Sequence, residues 1–445
     1  MKKKLLFVLV SLIYLTAFSQ NKKQEQLIKK GWNLGALPTI TYDTDLGFQY
    51  GALVNLFDYG DGSRYPDYDQ SLYFEASHYT KGSGILRFYY DSDQLIKGMQ
   101  TSMDLSYLTD QAYDFYGFNG YDAVFNKSWI DDQSPDYITR VFYKYNRKLF
   151  RWKLDLQGKI TSNKFRWIAG INFLNFSIGP VDLEKLNKGK SGSDVLPDVP
   201  GLYQYYQDWG IISSQEASGG FVPAFKAGLV FDTRDNKPNP MHGVWTEAVL
   251  VVAPQILGAE SSFSKISLTH REYFTLIPKD LSFAYRLAYQ TTLGGDVPFY
   301  YESHVITSIL KGATSEGLGG SKTLRGIRRN RVVGDGFFYG NAELRWKFVR
   351  FQWLNNNFYF GLNSFLDFGQ VTKKIPTNIN SSVNWPLDHG FSDYFDPGAE
   401  KMHFSYGAGL RAAMNENFVI AADYGLAADQ RDGNSGFYIG LNYLF

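Results

Sequence analysis

Between Gly317 and Gly336 the chain reads GLGGSKTLRGIRRNRVVGDG, with six glycines, five basic residues and no acid before Asp335. Lys322, Arg325, Arg328, Arg329 and Arg331 together could bind phosphate, nucleic acid or lipopolysaccharide, or carboxylates of the protein itself. A phosphate-cradling loop requires Gly-Lys-Ser/Thr order between a strand and a helix. Here Gly320-Ser321-Lys322-Thr323 has the wrong order, and a strand-like segment follows. For an exported chain with no global basic excess, no nucleic-acid partner is expected.

Other reactive chemistry is thinly represented. The six histidines (His78, His242, His270, His304, His389 and His403) show no metal-ligand spacing, and there is no cysteine to act as nucleophile or lipid anchor. His403 and Ser405 fall on one strand face, but a polar lining explains them better than a Ser–His–acid set. No catalytic residue, metal or cofactor is expected, and the protein is read as a non-enzyme.

The elements carrying these residues read as long strands. In GFFYGNAELRWKF, Phe338, Gly340, Ala342, Leu344, Trp346 and Phe348 share one face; Tyr339, Asn341, Glu343, Arg345 and Lys347 share the other. FYFGLNSFLDFG directs Phe358, Phe360, Leu362, Leu366 and Phe368 outward and Asn363 and Asp367 inward, with Ser364 and Phe365 breaking the pattern. One face must meet lipid and the other a polar interior, the period-two signature of a membrane barrel. The segments reach about ten residues or more, enough to cross a bilayer when tilted, whereas sandwich strands average about 5–6.

These features predict an all-β fold, a transmembrane antiparallel β-barrel of about 16 strands, whose basic loop either folds inward or stays outside as a mobile loop. The segments lie near 46–58, 70–81, 83–94, 97–108, 136–146, 150–161, 164–177, 221–232, 243–255, 262–276, 281–294, 335–350, 356–371, 401–414, 417–429 and 435–445. With both termini periplasmic, the connections 178–220, 295–334 and 372–400 fall outside. The long stretch 109–135 is an exception on the periplasmic side. Aromatics make up 17% of the chain, with 32 Tyr and 35 Phe. MKKKLLFVLVSLIYLTAFSQ reads as a secretory signal peptide over 1–19. Its removal leaves 42 basic against 44 acidic residues. Residues 20–36 are expected to form a short periplasmic segment and 37–445 the barrel domain, located in the outer membrane of a Gram-negative cell. Tyr438, Gly440, Tyr443 and Phe445 match an aromatic-ended last strand used as an insertion signal. Gly436 and Gly440 would weaken side-chain packing where the last strand meets the first.

Four stretches resemble the BamA/TamA superfamily of outer-membrane proteins, the bacterial surface antigen barrel. LPTITYDTDLGFQYGA resembles its opening strand, and FDTRDNKPNPMHGVW its periplasmic turn, with Asp232, Arg234, Asp235, Asn236 and Gly243 in the motif positions. GGSKTLRGIRRNRVVGDGFFYGNAELRW resembles the loop with the Val-Arg-Gly-aromatic motif, here Leu324-Arg325-Gly326-Ile327 after Gly319 and Gly320, and FLDFG the strand that follows. The resemblance implies that the loop folds into the barrel, with Arg325 meeting Glu343 and Asp367. Their alternation independently puts both carboxylates on inner faces, where a planar guanidinium can bridge them.

The resemblance also implies a role in assembly, insertion or translocation of envelope proteins within a complex, through a seam that lends its edge to a client strand. The family's POTRA repeats have no counterpart in residues 20–36, so a separate POTRA-bearing or lipoprotein subunit is an expected partner, besides outer-membrane lipid and other envelope proteins. A scaffold subunit docking partners through the 193–209 loop or Ile306–Leu310, and a passive pore, are the alternatives.

Overall fold

The computed structural model describes residues 27–43, 47–162, 164–237, 239–308, 317–379, 385–386 and 389–445. The expected signal peptide, residues 20–26 and the Ile309–Leu310 end of one expected docking surface lie outside these.

Sixteen strands form one sheet: β1 (Trp32–Asp43), β2 (Gly47–Asp58), β3 (Gln70–Tyr79), β4 (Gly84–Ile96), β5 (Met99–Asp114), β6 (Lys144–Ser162), β7 (Phe165–Gly179) and β8 (Phe221–Asp232), then β9 (Gly243–Ala253), β10 (Phe263–Ile277), β11 (Leu281–Gly295), β12 (Gly336–Trp353), β13 (Asn356–Lys373), β14 (His403–Met414), β15 (Phe418–Ala427) and β16 (Ser435–Leu441). Each pairs with the next in sequence order, and the pairs are antiparallel. Outward residues such as Leu344, Phe360, Leu366, Phe404 and Leu410 remain exposed, while Asn341, Glu343, Arg345 and Asp367 on the opposite faces are buried. An apolar exterior around a polar, ion-paired interior is the inverse of a soluble core, and it is what a lipid surround requires. No described helix is long and apolar enough to cross a membrane. The molecule is an all-β, outer-membrane-type barrel.

The number sixteen agrees with the sequence reading, but the strands behind it differ. β1 begins at Trp32, inside the segment expected to precede the barrel at 37, and pairs with β2 from Trp32↔Asp58 to Asp43↔Gly47. Gly35 and Pro38 disguise it. Proline lacks an N–H and is tolerated here because β1 is a sheet edge. In compensation, the expected segments 136–146 and 150–161 are not two strands. Tyr145, Arg147, Leu149 and Arg151 continue one buried face without a turn, giving the 19-residue β6. The two changes together move the long β5–β6 connection, 115–143, to the end of the barrel opposite the chain termini. It joins 180–220, 296–335 and 374–402 there, so the expected periplasmic exception disappears. These loops share an aromatic core that includes Trp129, Phe142, Tyr206, Trp209, Tyr394 and Phe395.

The last strand is shorter than the expected 435–445. β16 stops at Leu441, Asn442 takes a left-handed φ of 69°, and its N–H donates to Val419 O at 2.7 Å. Among the described residues no ladder joins β1 to β16. Side chains bring the two ends of the sheet together instead. Phe57, Tyr59 and Tyr73 pack with Phe418 of β15, and a side chain added at Gly35 of β1 would strike the Phe418 ring. The Asn417 amide donates to Tyr59 OH at 2.8 Å and to Pro66 O at 2.6 Å, tying the β14–β15 turn to the β2–β3 loop.

Candidate functional site: a basic strap on an acidic inner wall

The β11–β12 connection folds inward. Leu318, Leu324, Ile327 and Val332 are buried against Phe337, Tyr339 and Val371 of the wall. Leu324 and Ile327 thus serve as packing residues on either side of Arg325 and Gly326. Gly319 holds φ 118° and Gly320 φ 77°, and the Gly319 N–H donates to Thr323 Oγ1 at 2.9 Å, curling the strap. Gly326, at φ 97°, lies against the backbone of Gly425 in β15; a Cβ there would sit 2.7 Å from Gly425 C and Leu426 N. Glycine is the residue that permits both this conformation and this approach.

Arg325 is fully buried, with all its charge-bearing neighbours supplied by the wall. Its Nε and Nη2 donate to Asp367 Oδ2 and Oδ1, each at 2.9 Å, and its backbone N–H donates to Oδ2 at 3.0 Å. Nη1 donates to Glu343 Oε1 at 2.6 Å and lies 3.7 Å from Asp423 Oδ2. The guanidinium stacks over the Phe365 ring at 3.6 Å. Burial opposes the charged guanidinium, but Asp367 and Glu343 outweigh it and raise the Arg325 pKa. The β12–β13 register makes the fork possible: Asn341↔Asp367 and Glu343↔Phe365 are opposed, so the two carboxylates project from diagonal positions on one face.

Sequence reasoning missed Phe365 and Asp423. Phe365 interrupts the inward polar pattern because it is the platform under the guanidinium. That interruption was a visible sign. Asp423 carried no local sign, since it arrives from β15, where Arg411 Nη1 and Nη2 also hold it at 2.8 and 3.0 Å.

Three further arginines of the strap are engaged within the protein. Arg329 donates to Asp114 Oδ2 at 2.7 Å and Asp110 Oδ2 at 2.9 Å. Arg331 donates to the carbonyls of Gly120, Ala123 and Arg431 at 2.7, 3.1 and 2.9 Å. Arg328 lies over the Phe125 ring at 4.5 Å, and its backbone N–H donates to Asp432 O at 2.9 Å. Lys322 differs: its carbonyl accepts from Arg286 Nη2 at 3.0 Å, but its ammonium makes no hydrogen bond or ion pair among the described residues. Burial, followed by the Arg87 cation, lowers its pKa to about 8.

The strap connects to the end of the chain through Glu343. While Oε1 takes Arg325, Oε2 accepts from Arg345 Nε at 2.7 Å. Arg345 Nη2 donates to Phe445 O at 2.9 Å, and its guanidinium lies 4.5 Å from the Tyr443 ring and 4.8 Å from the Phe445 ring. Tyr443 and Phe445 are therefore inside the barrel, away from the lipid face of a last strand. Gly440 remains in β16, with no atom within 4 Å of where a Cβ would sit, and Tyr438 OH accepts from the Gly326 N–H at 3.0 Å.

The Asp232–Gly243 turn stands apart from the strap. Asp232 pairs with Arg234 at 3.0 Å, and Arg234 lies 4.4 Å from the Trp245 ring. Asp235 Oδ1 accepts from the Met241 and His242 N–H groups at 3.0 and 3.2 Å, while Asn236 Oδ1 accepts from Asn239 N at 3.0 Å. Gly243, at φ 105°, fits against the Thr233 carbonyl. These bonds fix the turn, and Asn239 Nδ2 ties it to Tyr359 OH of β13 at 2.9 Å.

An outer-membrane β-barrel with an arginine strap on its inner wall is the class that fold and site define. The Omp85 superfamily domain matches residues 203–445, more than half of the chain and the part that holds the strap, its carboxylates and β16. The chain belongs to the Omp85 superfamily. Among solved structures it is similar to CdiB from Escherichia coli, with 11% identity over 92% of this chain and 62% of that one, and a TM-score of 0.51. It is also similar to BamA from Haemophilus ducreyi lacking POTRA domains 1-3, with 14% identity over 93% and 71% of the two chains and a TM-score of 0.48. The chain spans about three fifths to seven tenths of the lengths of these proteins. No curated protein matches it.

Proposed function

We propose that this barrel assists the insertion or translocation of other envelope proteins at the outer membrane, as a subunit of a larger assembly. The observation that carries the reading is the seam. β1 and β16 present strand edges that are not paired with each other, and an unpaired edge is a template for an added strand. The strap and the inward-turned tail keep the neighbouring wall in place while the edges stay free. Superfamily membership and the likeness to CdiB support the reading, and the expected POTRA-bearing or lipoprotein partner belongs to it. Depletion followed by an outer-membrane proteome is the test: barrel proteins should fall in abundance, and unchanged levels would sink the assembly role. Co-purification should recover the partner subunit.

A further inference from the structure

A cavity of about 430 Å³ lies at the seam. Pro38 and Ile40 of β1 and Phe437 and Ile439 of β16, all on outward faces, line it together with inward residues of the same two strands. Residues from both faces of both strands line this one space, so the cavity lies within the wall, at the gap between the two strand edges. Its volume is in the ~300–1,000 Å³ range of small-molecule sites.

Two opposite charges face this space from within. Lys322 of the strap makes no ion pair within contact distance among the described residues, although Asp423 and Glu75 act on its charge across the same space. Glu75 of β3 is 8% exposed; its carboxylate accepts from Tyr73 OH at 2.6 Å and makes no ion pair among the described residues. Arg87, opposite Glu75 in the β3–β4 ladder, is engaged by Asp104 at 2.5 Å. Lys322 and Glu75 do not form an ion pair with each other. Neither the Lys322 ammonium nor the Glu75 carboxylate is held in an ion pair among the described residues, so the cavity fits a ligand that carries both signs.

We propose that the seam cavity binds the headgroup of a zwitterionic phospholipid bearing a primary amine, entering from the membrane between β1 and β16. The phosphate sits on the Lys322 ammonium and the lipid ammonium donates to Glu75. The acyl chains remain outside, along Ile40, Phe437 and Ile439, which are 69%, 64% and 65% exposed on the lipid face. A peptide strand would use the backbone edges of the seam but would leave Lys322 and Glu75 unmatched. The membrane phospholipid is therefore the occupant that the charges favour.

The test uses the full-length protein, delipidated in detergent and offered phosphatidylethanolamine, phosphatidylglycerol or phosphatidylcholine, with retained lipid counted by native mass spectrometry. One phosphatidylethanolamine per chain should be retained in preference to the other two. Lys322→Ala and Glu75→Gln should each weaken that retention about tenfold or more, with Lys322→Arg close to wild type. Heat-modifiable gel mobility verifies that each variant is folded. Glu75→Gln should leave the weak phosphatidylglycerol binding unchanged, because that headgroup has no ammonium. Equal retention of the three lipids, or retention unaffected in both variants, overturns the assignment. Displacement of the lipid by soluble glycerophosphoethanolamine would overturn the membrane source, and a seam that accepts an added extended peptide but no phospholipid would overturn the ligand class.

Discussion

Arg325 concentrates the energetics of the strap into one side chain. Removing one partner of a buried, hydrogen-bonded charge set costs about 3–5 kcal/mol, because the remaining charges lose compensation. Arg325→Met leaves Asp367 and Glu343 facing each other across the space it filled, and should lower stability by about that amount in urea unfolding followed by tryptophan fluorescence. Phe365→Leu keeps the ion pairs and removes only the stacked ring, so its expected cost is smaller, about 1 kcal/mol. The inward carboxylates were legible from strand alternation. Asp423 was not, because a contact between residues of different strands, so far apart in the chain, leaves no periodicity to read. Tyr443 and Phe445 read as part of the last strand, since nothing local distinguishes a strand end from the same residues turned inward beyond a left-handed asparagine.

Among the elements, the strand pattern was readable wherever alternation ran unbroken. It failed at β1, where Gly35 and Pro38 resemble a loop but make room for Phe418 and occupy a free edge. It failed again at β6, where Asn146 and the charges beside it resemble a turn. The two errors cancelled in the count and survived only as a misplaced loop, 115–143. The β15–strap contact depends on backbone proximity, so Gly425→Ala or Gly326→Ala should expel the strap locally. Faster amide exchange in residues 317–335, with exchange in β5–β7 unchanged, is the expected result. The tail depends on Arg345. Arg345→Met should free residues 442–445, read as faster amide exchange in that segment than in the unaltered protein.

For the whole molecule, the lumen is occupied from three directions: by the strap, by the tail and by the aromatic core of the long loops. A barrel filled in this way should conduct little in planar bilayers, and Arg325→Ala should increase the conductance. High conductance of the unaltered protein would favour the pore reading. The cysteine-free sequence allows any of these contacts to be trapped with introduced cysteine pairs without removing native thiols.

Glu343 also sets an order of events. One of its oxygens is claimed from upstream by Arg325 and the other by Arg345, which in turn holds the carbonyl of Phe445. Until the segment after β16 is in place, the arginine that grips it has only half of its surroundings, and the neighbouring carboxylate waits with it. A copy lacking residues 442–445 therefore carries an unfinished electrostatic circuit at its centre.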